Sequence, residues 1–398
     1  MKILHVLTQL PQKTGSGVYF TNLIKSFEDM DHENLALYGT EEAIVIDFPI
    51  KNSKEVVYMT EKLPFHICGM SDVMPYESTV YSKMSEDEID MLEEAFRDKL
   101  IEIKDSFKPE LVISHHLFFV TDLVRRIFPH VKVVGISHGT DIRQIKKHPR
   151  FLKRLGHIKE LDQVLTVTDQ EDESIREKLG VKKISLIGGG FNQEVFYENP
   201  KAKTDDIIRI MYAGKITRSK GVFELAKSLK TLEKKYLKIK MYIVGNASEE
   251  DKKILRENTD NSENLIIHDA EDQKTMADHL RQMDIFVLPS YFEALGLVAI
   301  EALACHKLVV TSYIEGLDKL LSPIIKEKKA IEFVALPRIK NVDQPYEEDV
   351  DSYVERLAGK IEEQIERLDE EIFTEDVNKE IEKYSWKNMG RKIFEIIS

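Results

Sequence analysis

The sequence has little cysteine and no long hydrophobic run, and both shortages narrow the classes of protein it can encode. Cys68 and Cys305 are the only cysteines among 398 residues, and they stand far apart without the spacing of metal ligands. A disulfide framework is therefore not expected, and a reducing cytoplasm is the predicted location. No segment approaches the roughly eighteen apolar residues of a membrane-spanning helix, which leaves only peripheral membrane contact open.

Basic residues are also fewer than acidic residues. Lysine and arginine number 57 against 70 aspartates and glutamates, so the formal net charge is −13. Nucleic-acid-binding proteins present a basic face, so no nucleic acid is expected as a partner, although a local basic pocket for phosphate is compatible with this charge. The first residues, MKILHVLTQLPQ, lack the long apolar core and cleavage site of a signal peptide and are interpreted as a first β-strand.

Short apolar runs alternate with helical patterns along both halves of the chain. Helices are expected from about residue 18 and over 86–106, 222–237, 249–257, 273–282 and 297–304. Strands are expected at 3–8, 35–38, 43–48, 111–114, 132–136 and 163–167, then at 208–213, 240–244, 264–267, 285–288 and 308–311. This alternation predicts an α/β fold with two Rossmann-like, doubly wound parallel-sheet domains and a cleft between them.

The polar stretch 199–206 is interpreted as a linker between these domains. The predicted domains are therefore 1–198 and 199–375, followed by a C-terminal segment, 376–398, whose Trp386 indicates a final packed helix. The irregular stretch 58–85 fits neither the strand period nor the helix period, and it is a candidate for acceptor recognition. A surface loop packed for structure is the alternative.

The stretch 289–305, PSYFEALGLVAIEALAC, places Glu293 in a loop and Glu301 eight positions later in a helical pattern. If the whole span were helical, the two would be about 12 Å apart along the axis and rotated by roughly 80°. A hydrolytic carboxylate pair needs about 5 to 9.5 Å, so the spacing better suits gripping two ends of an extended ligand, such as a sugar and a ribose joined by a diphosphate. The N–H groups of 294–297 would face the anionic middle. Two unrelated surface carboxylates remain the alternative.

The turn 214–221, GKITRSKG, follows a predicted strand and precedes a predicted helix. Lys215, Arg218 and Lys220 crowd this turn, where a diphosphate would need cations. The turn is not a Walker A loop, because Lys220 precedes Gly221 instead of following a glycine before serine or threonine. Solvated surface cations are the alternative, and they are the preferred interpretation for Arg218.

Two further turns follow predicted strands in the first half. His138, in SHGTDIRQ, stands at the carboxyl end of a parallel strand, where ligands bind in such folds, although a structural histidine is the alternative. His115 and His116 make a weaker, similar case. The loop carrying Gly15, Ser16 and Gly17 has the layout of a phosphate-binding turn and also that of an ordinary tight turn.

Other patterns are missing. The histidines are scattered without partnered cysteines or a carboxylate cluster, so no transition-metal site is predicted. The dinucleotide fingerprint Gly-x-Gly-x-x-Gly is absent, which disfavours a nicotinamide-dependent oxidoreductase. His268 and Asp269 follow a strand of the second half and are placed near a nucleotide base.

Together these segments resemble the retaining nucleotide-sugar glycosyltransferases of GT-B fold, family four, also known as the glycosyltransferase group 1 type. The resemblance rests on PSYFEALGLVAIEALAC, GKITRSKG, SHGTD and the N-terminal GSG loop. IGGGFNQEVF, at 187–196, looks like the family's segment at the end of the first domain. YSWKNMGRKIF looks like its last helix, which implies that 376–398 crosses back to the N-terminal domain.

The resemblance implies a role for each matched residue of the second half. Glu293 would contact hydroxyls of the donor sugar, and Glu301 would hold the ribose hydroxyls. Lys215 and Lys220 would bind the diphosphate. The family usually has arginine at the position of Lys215, and lysine lacks the bidentate fork, so Lys220 is the safer assignment.

In the first half, the resemblance places His138 beside the donor sugar. Gly15 and Gly17 resemble a loop that closes toward the phosphate and the acceptor. The implied catalytic residues are therefore His138, Glu293 and Lys220. The donor-binding residues are Gly15, Gly17, Lys215, Lys220, Glu293, Ala294, Leu295, Gly296, Leu297 and Glu301.

The implied reaction moves a hexose-type sugar from a nucleoside-diphosphate sugar, most expectedly a UDP-sugar, to an acceptor hydroxyl. Attack on the face that the nucleotide leaves would retain the anomeric configuration, with the departing phosphate taking the proton and no metal or other cofactor required. A non-catalytic nucleotide-sugar sensor, or the inactive partner of a glycosyltransferase assembly, is the alternative. The acceptor and the oligomeric state are left open, although the lack of a basic-hydrophobic stripe favours a soluble or small acceptor.

Overall fold

A computed structural model describes residues 1–46, 48–199, 205–269 and 272–398. The chain forms two compact units. Unit 1 is Met1–Gly189 together with Trp386–Ser398, and unit 2 is Gly190–Ser385. The predicted domain limits were 198/199 and 375/376, whereas the chain passes from one compact unit to the other at 189/190 and at 385/386. Most of the predicted linker, 200–204, lies outside the described residues.

Unit 1 is built on a parallel sheet with helices in the connections. Its strands are β1 (Lys2–Leu7), β2 (Glu33–Glu41), β3 (Ser53–Tyr58), β4 (Cys68–Gly69), β5 (Thr79–Val80), β6 (Leu111–His115), β7 (Lys132–Ser137), β8 (Gln163–Thr166) and β9 (Ile184–Leu186). Its helices before unit 2 are α1 (Gly15–Glu28), α2 (Glu86–Ser106), α3 (Phe119–Ile127), α4 (Thr140–Lys147) and α5 (Asp172–Leu179). Among the described residues the main sheet has seven strands in the order β3-β2-β1-β6-β7-β8-β9.

Local sequence explains where the long helix α2 begins. Ser85 caps it by accepting a hydrogen bond from the Glu88 N–H at 3.2 Å, and Glu88 returns one by accepting from the Ser85 N–H at 2.7 Å. This reciprocal pair satisfies two donors that a helix start leaves unpaired. The central strand β1 is buried along nearly its whole length, as expected for a parallel sheet covered on both faces.

The predicted strand at 43–48 is wrong for the residues that the structure describes, since 44–46 and 48 are not in a strand. Residue 47 lies outside the described set. The third strand is β3, whose Val56 and Tyr58 are buried while Glu55 is exposed. A strand at the sheet edge can bury one face only, and the polar residues on the other face weaken the hydrophobic pattern from which a strand is predicted. Ile44 and Ile46, which belong to the connection between β2 and β3, pack against the core outside the strand.

The irregular stretch 58–85 contributes to the core of unit 1. Its short strands β4 and β5 pair in parallel. Leu63, Ile67, Met70 and Tyr81 are buried in the same hydrophobic cluster as residues of α2 and α3. The stretch is thus fixed by packing, and its part in acceptor recognition stays a prediction.

Unit 2 repeats the architecture of unit 1. Its strands are β10 (Ile208–Ala213), β11 (Ile239–Val244), β12 (Leu265–His268), β13 (Ile285–Leu288), β14 (Leu308–Ser312), β15 (Ile331–Val334), β16 (Ile339–Lys340) and β17 (Gln344–Pro345). Its helices are α6 (Val222–Lys235), α7 (Glu249–Asn258), α8 (Gln273–Gln282), α9 (Leu297–Ala304), α10 (Glu315–Leu320), α11 (Pro323–Glu327), α12 (Glu347–Ile365) and α13 (Glu375–Glu382). The main sheet, within the described ranges, has six strands in the order β12-β11-β10-β13-β14-β15.

Both sheets have the strand order of a doubly wound fold, and the predicted fold class is confirmed. In unit 1 the order reverses between β1 and β6, and in unit 2 it reverses between β10 and β13. Such a switch point leaves a crevice at the carboxyl ends of the two central strands, because the connections on either side lead away from each other. The functional residues should therefore be sought at these two edges.

The last helix, α14 (Trp386–Ile397), belongs to unit 1. It packs along α1, and Trp386, Met389 and Ile393 are buried in a cluster with Tyr19. The Trp386 and Tyr19 rings meet edge to face with their centroids 4.6 Å apart. The final segment of the chain thus completes the hydrophobic layer over the unit 1 sheet.

We expect Trp386→Ala to lower the free energy of unfolding of unit 1 by about 3–5 kcal/mol, because it removes a large buried side chain and leaves a cavity. Urea unfolding followed by circular dichroism measures the effect without relying on the single tryptophan. Lys387→Ala is the matched control, since Lys387 is exposed on the same helix. A Trp386→Ala protein as stable as the control would show that α14 is not part of the unit 1 core.

Candidate donor site

The switch point of unit 2 lies between β10 and β13. The loop 214–221 leaves β10, and the loop 289–296 leaves β13. A cavity of about 380 Å³ opens at this edge of the sheet. Its lining residues are Tyr212, Ala213, Gly214, Lys215, Lys220, Val244, Asp272, Gln273, Thr275, Met276, His279, Leu288, Glu293, Val298 and Glu301. Lys215, Lys220, Glu293 and Glu301, singled out from the sequence, therefore share one cavity.

The two loops can touch because the residue at their point of contact is a glycine, which has no side chain. A Cβ atom on Gly221 would lie 2.0 Å from the carbonyl oxygen of Pro289, and the backbone φ of Gly221 is +61°. Any other residue would both clash and adopt a disfavoured left-handed conformation. The Tyr291 N–H donates to the Ser219 carbonyl at 2.9 Å, which joins the loops directly. Lys220, one residue before Gly221, is thereby held beside the second loop.

Lys220 and Glu293 form the central ion pair of the cavity. The Lys220 Nζ lies 2.6 Å from the Glu293 Oε1, and both side chains are about three-quarters buried, with exposed fractions of 25% and 23%. The Ser290 hydroxyl donates to the same Oε1 at 3.2 Å. The carboxylate is thus oriented by two donors, while Lys220 keeps further N–H donors for an anion.

Arg218 behaves differently from its neighbours in the same loop. Its guanidinium pairs with Glu347 at the start of α12, and both side chains are exposed. Arg218 is not among the lining residues of the cavity. This placement agrees with the surface interpretation of Arg218.

Glu301 has a different environment from Glu293. It lies in the second turn of α9 and is half-buried in the cavity wall. Within the ranges that the structure describes, its carboxylate has no hydrogen-bond or ion-pair partner. Burial raises the pKa of Glu301 from its ordinary 4.5 to about 7. Both carboxylate oxygens are therefore available to accept hydrogen bonds from a ligand.

The predicted donor-binding residues between the two glutamates do not present their side chains to the cavity. Leu295 is buried, Ala294 is exposed, and neither they nor Gly296 and Leu297 are among the lining residues. Gly296 is the N-cap residue of α9 and provides no side-chain cap. Any contribution of these four residues to anion binding would come from backbone N–H groups at the helix start.

The cavity wall formed by α8 and the residue before it was not predicted from the sequence. Asp272 caps α8 by accepting a hydrogen bond from the Thr275 N–H at 2.8 Å. His279, one turn further along, lines the cavity, and its ring stacks on that of His268 with centroids 5.4 Å apart. The helix itself was predicted with the correct limits. Because α8 follows β12 and starts at the same sheet edge as the two loops, its first turns could have been proposed as lining residues.

His268 and Asp269, which the sequence placed near a nucleotide base, are both exposed and neither lines the cavity. His268 reaches the cavity only through its stack on His279. Residues 270 and 271, which follow directly, lie outside the described ranges.

The remaining predicted site residues belong to unit 1. His138 follows β7, and its Nε2 lies 3.1 Å from the Nδ1 of His115, which ends the neighbouring strand β6. Burial lowers the pKa of His138 from 6.5 to about 3, so its ring is neutral at physiological pH. The sequence placed both histidines at the carboxyl edge of the sheet, and the structure adds their direct contact.

Gly15 and Gly17 open α1, where they have different surroundings. A Cβ atom on Gly17 would lie 2.6 Å from the Leu10 carbonyl oxygen, whereas a Cβ atom on Gly15 would meet nothing within 4 Å. Thr14 caps the helix by accepting a hydrogen bond from the Gly17 N–H at 3.0 Å. Gly17 is thus required by packing against the preceding loop, while Gly15 borders open space.

Two kinds of feature are absent from the described residues. No group of three or more histidine, cysteine, aspartate or glutamate side chains in these ranges is arranged to hold a metal ion. No helix in the same ranges combines the length and the hydrophobicity needed to span a lipid bilayer.

The chain is similar in sequence to known glycosyltransferases. Residues 193–326, which include both loops and α9, match the family described as glycosyl transferases group 1. The lipopolysaccharide 1,2-N-acetylglucosaminetransferase of Salmonella typhimurium is 23% identical over 317 residues, which cover 75% of this chain and 74% of that enzyme. The D-inositol 3-phosphate glycosyltransferase of Nocardiopsis dassonvillei is 26% identical over 181 residues, which cover 40% of this chain and 42% of that enzyme.

Solved structures share the fold of the whole chain. Sucrose-phosphate synthase from Thermosynechococcus elongatus matches with a TM-score of 0.69 at 14% identity, over 100% of this chain and 98% of that one. A glycosyltransferase from Rickettsia africae matches with a TM-score of 0.66 at 17% identity, over 100% of this chain and 97% of that one. At these identities the likeness establishes the fold alone. The sequence match over residues 193–326 and the curated relatives show that the chain is a glycosyltransferase, and the likeness to solved structures shows that it has the GT-B fold.

Proposed function

We propose that this glycosyltransferase moves a hexose from a UDP-sugar to an acceptor hydroxyl, with retention of the anomeric configuration and without a metal ion. One observation carries the proposal: the unit 2 cavity brings two lysines together with Glu293 and Glu301 at the switch point of a doubly wound sheet. A nucleoside-diphosphate sugar has an anionic centre and hydroxyl-bearing groups at both ends. The cavity offers cations and hydrogen-bond acceptors to match these groups.

Each charged residue suits one part of the donor. Glu301 has no side-chain partner among the described residues, and two neighbouring ribose hydroxyls could each donate to one of its carboxylate oxygens. Lys215 and Lys220 lie near the two ends of the turn 214–221 after β10 and would neutralise the diphosphate. Glu293, already oriented by Lys220 and Ser290, would accept from hydroxyls of the sugar.

The same geometry suits departure of the nucleotide. Charge develops on the leaving diphosphate as the glycosidic bond breaks, and a cation fixed beforehand stabilises that charge without having to reorganise. Lys220 is fixed by its ion pair with Glu293. A lysine ammonium in this place would stabilise the negative charge on the leaving diphosphate, so that no metal ion is needed for that purpose. His138, a residue of unit 1, would form a hydrogen bond with the donor sugar.

Similar proteins support the choice of donor and of reaction. The Anabaena protein HepE, described in complex with UDP and glucose, has a TM-score of 0.64 to this chain at 12% identity. The curated relatives transfer sugars, and the Nocardiopsis enzyme is named for an inositol phosphate acceptor. A polyol or sugar hydroxyl is thus the proposed acceptor. Cytoplasmic residence completes the proposal, and it is supported by Cys68 and Cys305, which are both free thiols.

A panel of donors tests the proposed function. We expect UDP-hexoses to raise the apparent thermal stability more than GDP- or ADP-hexoses at equal concentration, because a ligand bound only to the native state stabilises it by mass action. Slow release of UDP should accompany binding, since water can replace the acceptor. Transfer from GDP- or ADP-sugars alone would overturn the choice of base, and binding without release from any donor would indicate a sensor.

The raised pKa of Glu301 predicts a pH dependence of donor binding. The carboxylate accepts two hydroxyl hydrogen bonds, whereas the protonated acid loses part of that capacity, so affinity should rise as pH increases through about 7. Between pH 6 and 8 the affinity for a UDP-sugar should increase roughly tenfold, following the deprotonated fraction. Isothermal titration calorimetry measures this change, and the sugar-linked diphosphate does not itself titrate in this range.

Glu301→Gln should bind the donor more weakly and lose this component of the pH dependence. Glu250→Gln is the control, because Glu250 is exposed on α7. If the wild type and Glu301→Gln show the same slope of affinity against pH, Glu301 does not hold the ribose.

Lys220→Met should reduce kcat by about 10²–10³, because it removes a fixed positive charge from the leaving diphosphate. Lys220→Arg keeps the charge and should recover most of the activity, whereas Lys234→Ala, at an exposed position of α6, should not change it. Steady-state release of UDP with a saturating donor gives kcat. A Lys220→Met enzyme with normal kcat and a raised KM would assign Lys220 to binding alone.

A further inference from the structure

The contact between His115 and His138 is a feature that the proposed reaction does not by itself explain. The two residues end neighbouring strands, β6 and β7, and their rings are nearly parallel, with centroids 5.3 Å apart and an interplanar angle of 15°. The Nδ1 of His115 and the Nε2 of His138 are 3.1 Å apart, which is hydrogen-bond distance. One of these nitrogens therefore carries a proton and donates a hydrogen bond, which the other nitrogen accepts.

No carboxylate in the described ranges is hydrogen-bonded to the His138 ring, although Asp141 is close in sequence. The Asp141 Oδ2 accepts a hydrogen bond from the Leu117 N–H at 2.7 Å, and its Oδ1 accepts one from the Ser137 hydroxyl at 3.0 Å. His116 packs against His138 with ring centroids 4.8 Å apart, but neither of its nitrogens has a hydrogen-bond partner in the described part of the chain. His115 is thus the residue that orients the His138 ring.

Both rings are neutral. Burial lowers the pKa of His115 well below its ordinary value, and burial with the neighbouring His116 lowers that of His138 to about 3. A neutral imidazole has one N–H donor and one bare nitrogen. Only two arrangements of the pair are therefore available, and they differ in which nitrogen of each ring carries the proton.

The surroundings of His115 distinguish the two arrangements. His115 is 2% exposed and packs edge to face against Phe20, with centroids 5.2 Å apart, and against Tyr19 at 6.2 Å. Its Nε2 is buried without a hydrogen-bond partner in the ranges that the structure covers. Unpaired buried backbone N–H groups are rarer than unpaired buried carbonyl groups, and we extend this preference to the imidazole of His115. His115 should therefore leave Nε2 bare and carry its proton on Nδ1.

We propose that His115 is a positioning residue that donates from Nδ1 to the Nε2 of His138 and so holds His138 as the Nδ1–H tautomer. His138 is only partly buried, and Nδ1 is the nitrogen left for a substrate. His138 then offers the donor sugar or its phosphate a hydrogen-bond donor, and it cannot accept the acceptor's proton at that atom. This contact with the donor rests on the proposed function, whereas the pairing of His115 with His138 does not.

Nuclear magnetic resonance of the full chain labelled with ¹⁵N-histidine tests the tautomer directly. The His138 signals are assigned by their loss in His138→Gln. In the wild type, we expect the protonated nitrogen of His138 to be Nδ1. His115→Asn retains an amide that can donate from nearly the same position and should keep this tautomer, whereas His115→Phe should shift the population toward Nε2–H.

Kinetics provide the second measurement. His115→Phe should lower kcat about two- to tenfold, the effect of one hydrogen bond, with a smaller change in KM for the donor. His115→Asn should stay within about twofold of the wild type by the same reasoning. His130→Asn, at an exposed position after α3, is the control for histidine substitution in unit 1.

Two results would overturn the proposal: a wild-type His138 protonated at Nε2, or a His115→Phe protein with an unchanged tautomer. If His115→Phe does not fold, the spectra of the wild type and His115→Asn still decide. The spectra need no substrate. A correct tautomer in a chain that transfers no sugar would therefore refute the proposed function and leave the histidine pairing intact.

Discussion

Two loops meet at the carboxyl edge of the unit 2 sheet, and their contact leaves no room for a side chain at Gly221. The Pro289 carbonyl occupies the space that a Cβ atom would need, and it also accepts a hydrogen bond from the Tyr353 hydroxyl at 2.9 Å. The loop after β13 is thus held from one side by the first loop and from the other by α12. This constraint places Lys220 within 2.6 Å of Glu293 and gives the cavity its charged centre.

The charged residues around this constraint differ in how they are paired, and the difference indicates what each can do. Lys220 and Glu293 neutralise each other inside the cavity, so neither carries the full cost of a lone buried charge. Arg218 is paired at the surface with Glu347, away from the cavity. Glu301 has a raised pKa because its burial is not compensated by a cation. A ligand that donates hydroxyl hydrogen bonds would supply the missing compensation.

The polar side chains at the carboxyl edge of the unit 1 sheet are held differently from those of unit 2. Its polar groups there are neutral histidines packed among aromatic rings, and hydrogen bonds rather than ion pairs fix their orientation. Tyr19 connects this group to the last helix, since its ring contacts both His138 and Trp386. The end of the chain therefore supports the histidine cluster through α1.

Periodic burial and turn chemistry are local properties, so the sequence was enough to predict the two doubly wound sheets and the limits of α2, α8 and α9. It was also enough to single out four of the five charged residues that line the cavity in the described part of the chain, all but Asp272. It missed the edge strand β3, where one-sided burial weakens the alternating pattern. The pairing of Lys220 with Glu293, the place of His279 in the cavity wall and the orientation of His138 by His115 are visible only in the tertiary structure. Each of these contacts joins segments brought together by the strand order of a sheet, and pairing across strands leaves no periodic trace in the sequence.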